Sequence, residues 1–363
     1  MNKNLIVFMP SIEGGGVEKN LFLICNYLIK KIGALKVITI SNNRSNKFDR
    51  SVKIVTFKSK RWDRFGRKIK YFLALILLIK EIIKNKKVTV FSFQANVYCI
   101  LVCKIFSVKV IVRSNTAPIG WSKNIFKRII FKLVLNLADK VIANSLEFKK
   151  NLKKDLNLNA ICIYNPLDKN QIKKKSKIKS TKIFNSSKKL KILNIGRFTK
   201  QKDQLTFLKS LNLIKNKISF EARIIGRGEL KSKLQKYIEN NNLKKTVKII
   251  DFTNNPYPFI KEADLFVLSS RFEGLPNVIL ESLVLKKFVI SSKCPTGPKE
   301  ILLNGKGGLL FSVENYKALA SRIVYYNENK KKCRLMLLKA YKALHRFDLE
   351  VNLEKYLKVV NFK

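Results

Sequence analysis

Short apolar runs recur along the chain, most of them bounded by polar residues or a turn. The first, Leu5-Ile6-Val7-Phe8-Met9, is too short and too poorly flanked for a secretion signal and reads as a strand. A stretch of helical length follows over residues 17–32. Further strand-like runs stand at 37–40, 53–57, 88–93 and 108–113. Between the last two, residues 95–106 carry Cys99 and Cys103 four apart, on one face of a helix and most simply in a core. After a polar interval the pattern resumes at 190–195, 265–268 and 288–290. Strands alternating with helical stretches predict an α/β chain with parallel sheets. Residues 313–363 read as two or three closing helices.

The polar interval, 168–189, is rich in Lys, Ser and Asn with sparse apolar residues, and reads as a hydrophilic, basic linker. At 363 residues the chain has room for two domains of ordinary size. The expected division is a first domain at 1–167, the linker, a second domain at 190–345, and a C-terminal helix at 346–363.

One segment departs from the alternation. Lys58, Lys60, Arg61, Arg64, Arg67, Lys68 and Lys70 precede the apolar run 71–79, and Lys80, Lys84, Lys86 and Lys87 close it. The run has about half the length needed to span a bilayer. It suits a buried helix of the first domain. Its basic flanks and Trp62 also suit an interfacial contact with anionic lipid.

Candidate chemistry concentrates in Ser269-Ser270-Arg271-Phe272-Glu273-Gly274-Leu275-Pro276-Asn277-Val278-Ile279-Leu280-Glu281-Ser282. The strand 265–268 leads into it, Pro276 stands where a helix could open, and a second strand follows at 288–290. Such a βαβ unit binds ligands at the carboxyl ends of its strands. Asn277 and Glu281, four apart, share a helix face. Free N–H groups at that helix start favour an anion such as a diphosphate, while Glu273 and Glu281 suit the hydroxyls of a sugar or ribose. The plainer alternative is two solvated glutamates at a helix start, where acids are favoured anyway. Arg197 follows the strand 190–195 and Lys202 lies five residues on, two cations that fit a leaving diphosphate. A glycine-rich turn at Gly14-Gly15-Gly16 either lets backbone approach a ligand or is an ordinary tight turn.

The spacing Glu273-x7-Glu281 inside its flanking residues resembles the signature of retaining GT-B glycosyltransferases of family 4, the glycosyl transferases group 1. Asn194-Ile195-Gly196-Arg197-Phe198 with Gln201-Lys202-Asp203 is similar to that family's donor-phosphate motif. Ile225-Gly226-Arg227-Gly228-Glu229-Leu230 resembles its second glycine turn, and Thr296-Gly297-Pro298-Lys299-Glu300-Ile301 the segment after the signature. The runs 140–145 and 160–166 resemble the last two strands of a GT-B first domain. The resemblance is dense over 190–312 and thinner before it, where Glu13-Gly14-Gly15-Gly16 is the anchor.

This resemblance implies two Rossmann-like domains facing across a cleft, the first on the acceptor side and the second binding nucleotide sugar, with the last helix crossing back to the first. It implies that Glu273, Arg197 and Lys202 act on the reacting groups. Gly14, Gly15, Gly16, Gly196, Gly226, Gly274, Leu275, Asn277 and Glu281 would line the donor. Base contacts are implied near Asp251 and Tyr257-Pro258 without assignment to single residues. Many relatives carry a donor-contacting histidine after the strand 108–113, yet His345 is the chain's one histidine, so Ser114 or Asn115 replaces that contact or it is absent.

Composition adds charge to this picture. A net charge of +51 ordinarily points to nucleic acid or an anionic membrane. Here Lys is spread over the whole length and far outnumbers Arg, and no basic stacking module is visible. The charge therefore reads as compositional bias with a membrane-facing share, and no nucleic-acid partner is expected. Six cysteines without a Cys-x2-Cys pair fit reduced cytosolic thiols. No DxD pair ends a strand and no His/Cys/Asp cluster has ligand spacing, so neither metal nor other cofactor is expected. The expected function is retaining transfer of a sugar from a nucleotide diphosphate, UDP before GDP, to a glycan or polyprenyl-linked acceptor in cell-surface polysaccharide synthesis. The expected place is the cytoplasm, peripheral on the inner face of the plasma membrane. A nucleotide-sugar epimerase of the same architecture and a basic nucleic-acid-binding protein are the alternatives.

Overall fold

A computed structural model describes residues 3–41, 45–57, 62, 65–115, 125–179, 181–185 and 188–362. The chain forms two compact units, Met1–Pro166 with Phe347–Lys363, and Leu167–Arg346.

In the first unit the order is β1 (Lys3–Phe8), α1 (Gly16–Ile32), β2 (Gly33–Ile38), β3 (Lys53–Val55), α2 (Arg67–Lys84) and β4 (Val88–Ser92). There follow α3 (Asn96–Ile105), β5 (Lys109–Ser114), α4 (Ile125–Asn136), β6 (Lys140–Ala143), α5 (Leu146–Leu156) and β7 (Ala160–Cys162). All strands pair in parallel, in the order β3-β2-β1-β4-β5-β6-β7. The second unit runs α6 (Lys169–Lys175), β8 (Leu190–Ile195), α7 (Gln204–Ile214), β9 (Phe220–Gly226), α8 (Lys231–Asn240) and β10 (Val247–Asp251). It continues with α9 (Tyr257–Glu262), β11 (Leu265–Leu268), α10 (Asn277–Val284), β12 (Phe288–Ser292), α11 (Pro298–Ile301) and β13 (Leu309–Phe311). Two helices, α12 (Tyr316–Glu328) and α13 (Lys330–Lys342), close it, and α14 (Leu349–Val360) belongs to the first unit. Its sheet is also parallel, ordered β10-β9-β8-β11-β12-β13.

The unbroken apolar runs follow from this layering. A parallel strand has helices on both faces, so every position is buried and no polar alternation survives. In β1, Leu5 and Val7 pack with Leu21, Ile24 and Leu28 of α1, while Ile6 and Phe8 face Leu78 of α2 and Cys99 of α3. Cys99 and Cys103 are thus core residues, and all six cysteines are free thiols. Among the described residues no helix is long and apolar enough to cross a membrane.

Two expectations are refined. Residues 168–189 do not run as a linker but pack as part of the second unit. Ile172 of α6 and Phe184 are buried, Phe184 stacks beneath the Arg223 guanidinium at 5.1 Å, and Glu262 accepts the Ile183 and Phe184 N–H groups at 3.3 and 3.2 Å. A few anchors and backbone bonds to distant carboxylates suffice, and composition does not display them. The segment 61–87 divides by face. Ala74, Leu77, Leu78 and Ile82 of α2 are core, whereas Phe72 is 65% and Ile83 62% exposed. Lys58, Lys60, Arg61 and Arg64 lie outside the described residues.

The last helix is held by a buried cation. Arg113, at the end of β5, donates from Nε to the Tyr356 hydroxyl of α14 at 2.9 Å and from Nη2 to Asn165 Oδ1 at 2.5 Å. Its remaining recorded side-chain bond goes to Asn115, whose amide nitrogen in turn donates to the Phe93 carbonyl at 2.7 Å. Burial pushes the Tyr356 hydroxyl above its ordinary pKa, so it stays a neutral acceptor and donor. Replacing Tyr356 by Phe leaves one donor of a buried guanidinium unmatched. The expected loss is about 1–3 kcal/mol of stability, read as a lower urea midpoint, and an unchanged midpoint would show that the bond contributes nothing.

Candidate active site

In the second unit β8 and β11 are neighbours, with β9 and β10 beyond one and β12 and β13 beyond the other. At such a switch point the loops leaving two adjacent strands diverge and open a crevice. The ladder here is short, pairing Leu265 with Ile192 and Phe266 with Leu193. Past it, the Asn194 amide donates to the Val267 carbonyl at 2.9 Å and holds the strands as they part.

The loops at the carboxyl ends, 196–203 and 269–276, are stitched together. Arg271 N–H donates to the Gln201 carbonyl at 2.8 Å, Gln201 Nε2 to the Phe272 carbonyl at 2.9 Å, and Ser269 Oγ to the Lys202 carbonyl at 3.0 Å. From the β12 side, Ser292 Oγ donates to the Ser270 carbonyl and Thr296 Oγ1 to the Glu273 carbonyl, both at 2.6 Å. A buried loop must find donors for its carbonyls, and short hydroxyl side chains supply them here.

This scaffold brings Lys202 and Glu273 together. Lys202 Nζ lies 2.5 Å from Glu273 Oε1, which also accepts from Ser270 Oγ at 2.6 Å. Glu273 is buried and Lys202 largely so. Arg197 is exposed and has no ion-pair partner among the described residues, while its carbonyl accepts from Gln204 Nε2 at 3.1 Å. Arg271, in the same loop as Glu273, is taken up elsewhere, 2.6 Å from Glu314 and 3.5 Å from Asp203. The helix α10 begins at Asn277, with Pro276 just outside it as the cap rather than as its first residue. Glu281 is buried one turn further in, four residues from the half-buried Asn277. Gly274 and Leu275 are buried in the turn between. Near Glu273, burial with the carboxylate's help pushes the Cys294 thiol up to about 12, which keeps it protonated and inert as a nucleophile.

Two glycine contacts set how closely the backbone packs. A Cβ on Gly226 would lie 2.0 Å from the Gly196 carbonyl oxygen, and one on Gly297 would lie 1.9 Å from that of Gly274. Gly297 also has φ +78°, following Thr296 at φ 65°. A β-branched residue in that region is strained, and the Thr296 hydroxyl bond to Glu273 helps hold it. Asp203, at φ 46° just before α7, is a second such position in the site loops.

The other predicted residues fall apart from this group. Asp251 ends β10, largely exposed and 2.5 Å from Lys231, and Tyr257 is buried within α9. Gly14 and Gly15 lie in the first unit between β1 and α1, and Gly16 opens α1. There the buried Glu18 carboxylate reaches back to accept Gly15 N–H at 2.8 Å and Glu13 N–H at 3.2 Å, so these two amide groups are taken up within the start of the helix. Ser114 is buried and its hydroxyl has no partner among the described residues, Asn115 is held by Arg113 and Phe93, and the adjoining Thr116 lies outside the described residues. Sequence reasoning assigned no role to Ser270, Gln201 or Thr296, whose polarity in a motif turn was the available signal.

Residues 174–343 match the family model described as glycosyl transferases group 1, and residues 14–171 match glycosyltransferase family 4. An uncharacterized glycosyltransferase of Methanocaldococcus jannaschii is 34% identical over 223 residues, covering 56% of this chain and 53% of that protein. A Campylobacter jejuni protein named as an N-acetylgalactosamine-N,N'-diacetylbacillosaminyl-diphospho-undecaprenol 4-alpha-N-acetylgalactosaminyltransferase is 28% identical over 68% of this chain and 67% of its own length. The chain thus spans about half to two thirds of these relatives. Among solved structures, Anabaena HepE with UDP-glucose superposes with a TM-score of 0.78 at 17% identity, over 98% of this chain and 99% of that one. That likeness identifies the fold as GT-B.

Gly226→Ala is expected to displace the β8 loop and cost about 1–3 kcal/mol, whereas Gly196→Ala, whose nearest neighbours would be 3.4 Å away, is expected to be milder. Thermal unfolding of both variants checks the order, and equal costs would remove the close approach as a constraint.

Proposed function

This chain belongs to the family 4 glycosyltransferases of the glycosyl transferases group 1, and we propose that it moves a sugar from a UDP-linked donor to a lipid-linked or glycan acceptor, with retention at the anomeric carbon. The observation that carries the reading is the buried Lys202–Glu273 pair at the switch point, with Glu281 on the helix that follows. The names of the relatives support the substrate classes. The C. jejuni protein is named for a diphospho-undecaprenol acceptor, and HepE was solved with UDP-glucose. Synthesis of a cell-surface polysaccharide at the inner face of the plasma membrane is the setting that fits such an acceptor.

In this reading the bond between the anomeric carbon and the diphosphate oxygen breaks, and its electron pair leaves on the diphosphate. Negative charge grows where Arg197 and Lys202 can meet it, together with N–H groups at the start of α10. These groups, rather than a metal ion, neutralise the leaving group. Lys202 is already paired before donor arrives, so diphosphate competes with Glu273 for the ammonium. As Lys202 turns to phosphate, Glu273 gains acceptor capacity for a sugar hydroxyl and a negative charge near the electron-poor anomeric centre. Glu281, further along α10, suits the ribose hydroxyls, a contact that donor and transition state share.

Changing Arg197 or Lys202 to Ala should slow transfer by about 100-fold, near 3 kcal/mol in the barrier; Arg197→Ala should leave the fold intact, whereas Lys202→Ala also leaves Glu273 buried without its partner and lowers stability. Transfer at the native rate in both variants would reduce them to surface cations. The glutamates should separate kinetically. Glu273→Gln keeps size and one acceptor but loses charge, and is expected to lower kcat. Glu281→Gln is expected to raise the KM for donor with a smaller change in kcat. The reverse pattern in steady-state kinetics would exchange their roles.

A further inference from the structure

Arg271 stands two residues before Glu273 and directs its charge elsewhere. Its guanidinium lies 2.6 Å from the carboxylate of Glu314, in the turn between β13 and α12, and 3.5 Å from that of Asp203, the residue after Lys202. Both acids hold it from backbone that residues with side chains seldom adopt. Asp203 has φ 46° and Glu314 φ 62°, the left-handed region that glycine favours and that a residue as long as glutamate rarely enters. Asp203 is 6% exposed, and its Oδ2 also accepts from Thr206 Oγ1 at 2.8 Å. Strain of this kind persists only where surrounding contacts over-determine it, and it gathers at functional sites.

Among the described residues two ion pairs join the loops 196–203 and 269–276, Lys202 with Glu273 and Asp203 with Arg271. They differ in what a donor does to them. Diphosphate competes for Lys202, so the first pair opens as the leaving group settles. The second is closed on both sides of the guanidinium, by Asp203 and by Glu314, and stays. Packing does not take its place. A cavity of about 240 Å³ is lined by Asp203 and Arg271 together with Leu205 of α7 and Leu230 and Leu234 at the start of α8, so no side chain wedges the loops there. Without the second pair the Glu273 loop is free to drift once Lys202 has turned to phosphate. A misplacement of about 1 Å can cost about 100-fold in rate.

We infer that Arg271 is a positioning residue for donor cleavage: gripped by Asp203 and Glu314, it keeps the Glu273 loop against the Lys202 loop while the diphosphate occupies Lys202. The inference rests on the donor chemistry proposed above. The test is steady-state release of UDP from UDP-glucose, UDP-N-acetylglucosamine and UDP-N-acetylgalactosamine, followed with the sugar that the native chain turns over. Asp203→Asn keeps the size, the tolerance of left-handed backbone and an acceptor for Thr206, and removes only the charge. It should lower kcat about tenfold and leave the KM for donor within about twofold. Arg271→Gln should lower kcat alike, and it also leaves the Asp203 carboxylate buried without its cation, which lowers the thermal midpoint. In the double variant the midpoint recovers, because no buried charge is left unmatched, while kcat stays about tenfold low, since the same link has been cut. A pair that merely stabilised the fold would give back its kcat together with its midpoint. That recovery, native kcat in Asp203→Asn, or a raised donor KM at unchanged kcat would overturn the inference while Glu273→Gln is still slowed. No release by the native chain, or native kcat in Glu273→Gln, would overturn the donor chemistry and the inference with it.

Discussion

A lysine ammonium and a glutamate carboxylate placed largely out of water are tolerable only in each other's company. Removing either partner of such a pair leaves a buried charge and typically costs about 3–5 kcal/mol. The loops around Lys202 and Glu273 are arranged to keep that company. Serine hydroxyls bind the loop carbonyls and the carboxylate, Gln201 spans the two turns, and strained Thr296 is bonded to the residue it supports. Glycines at 226 and 297 let the backbone close to distances that no Cβ would allow. The pair is also unfinished, because an exposed guanidinium at Arg197 adds positive charge beside the same strand end. The charge that holds the site together is therefore one that a diphosphate can claim.

Much of this was legible in the sequence because parallel sheets write their strands as unbroken apolar runs. The strands 5–9, 190–195, 265–268 and 288–290 appear within a residue or two of β1, β8, β11 and β12. The motif residues reach the carboxyl ends of the strands as their spacing required. Less visible were features that depend on partners far along the chain. Residues 168–189 look like a linker by composition, yet Glu262 and Glu221 from distant elements bind their backbone. The glycine turn at 14–16 reads as a close backbone approach to a ligand or as an ordinary turn, and only the fold shows Glu18 taking up the Glu13 and Gly15 amide groups. Hydrogen bonds that cross 30 to 80 residues leave no periodic trace.

The same limit applies to α2. Its pattern suited a buried helix first and its basic flanks a membrane contact as well, because a single helix has two faces and periodicity describes both. Placing α3 and α4 beside it shows large apolar side chains exposed on three neighbouring helices. One exposed phenylalanine on a helix is ordinary, but three adjacent stripes over a stretch with one acid are a surface with a chemical preference.

The bond between Arg113 and Tyr356 joins residues 243 apart, which makes the first unit discontinuous in the chain. During synthesis the strands β1 to β7 emerge long before α14. Until residues 349–360 arrive, α1 and Phe91 lack the helix that packs against them, and a guanidinium waits without its phenol. The second unit, by contrast, is complete as soon as Arg346 has been made. The half of the protein that begins first is thus the half that finishes last. Its nascent form carries that uncovered apolar patch through the whole translation of its neighbour, which is the interval in which chaperones would be most needed.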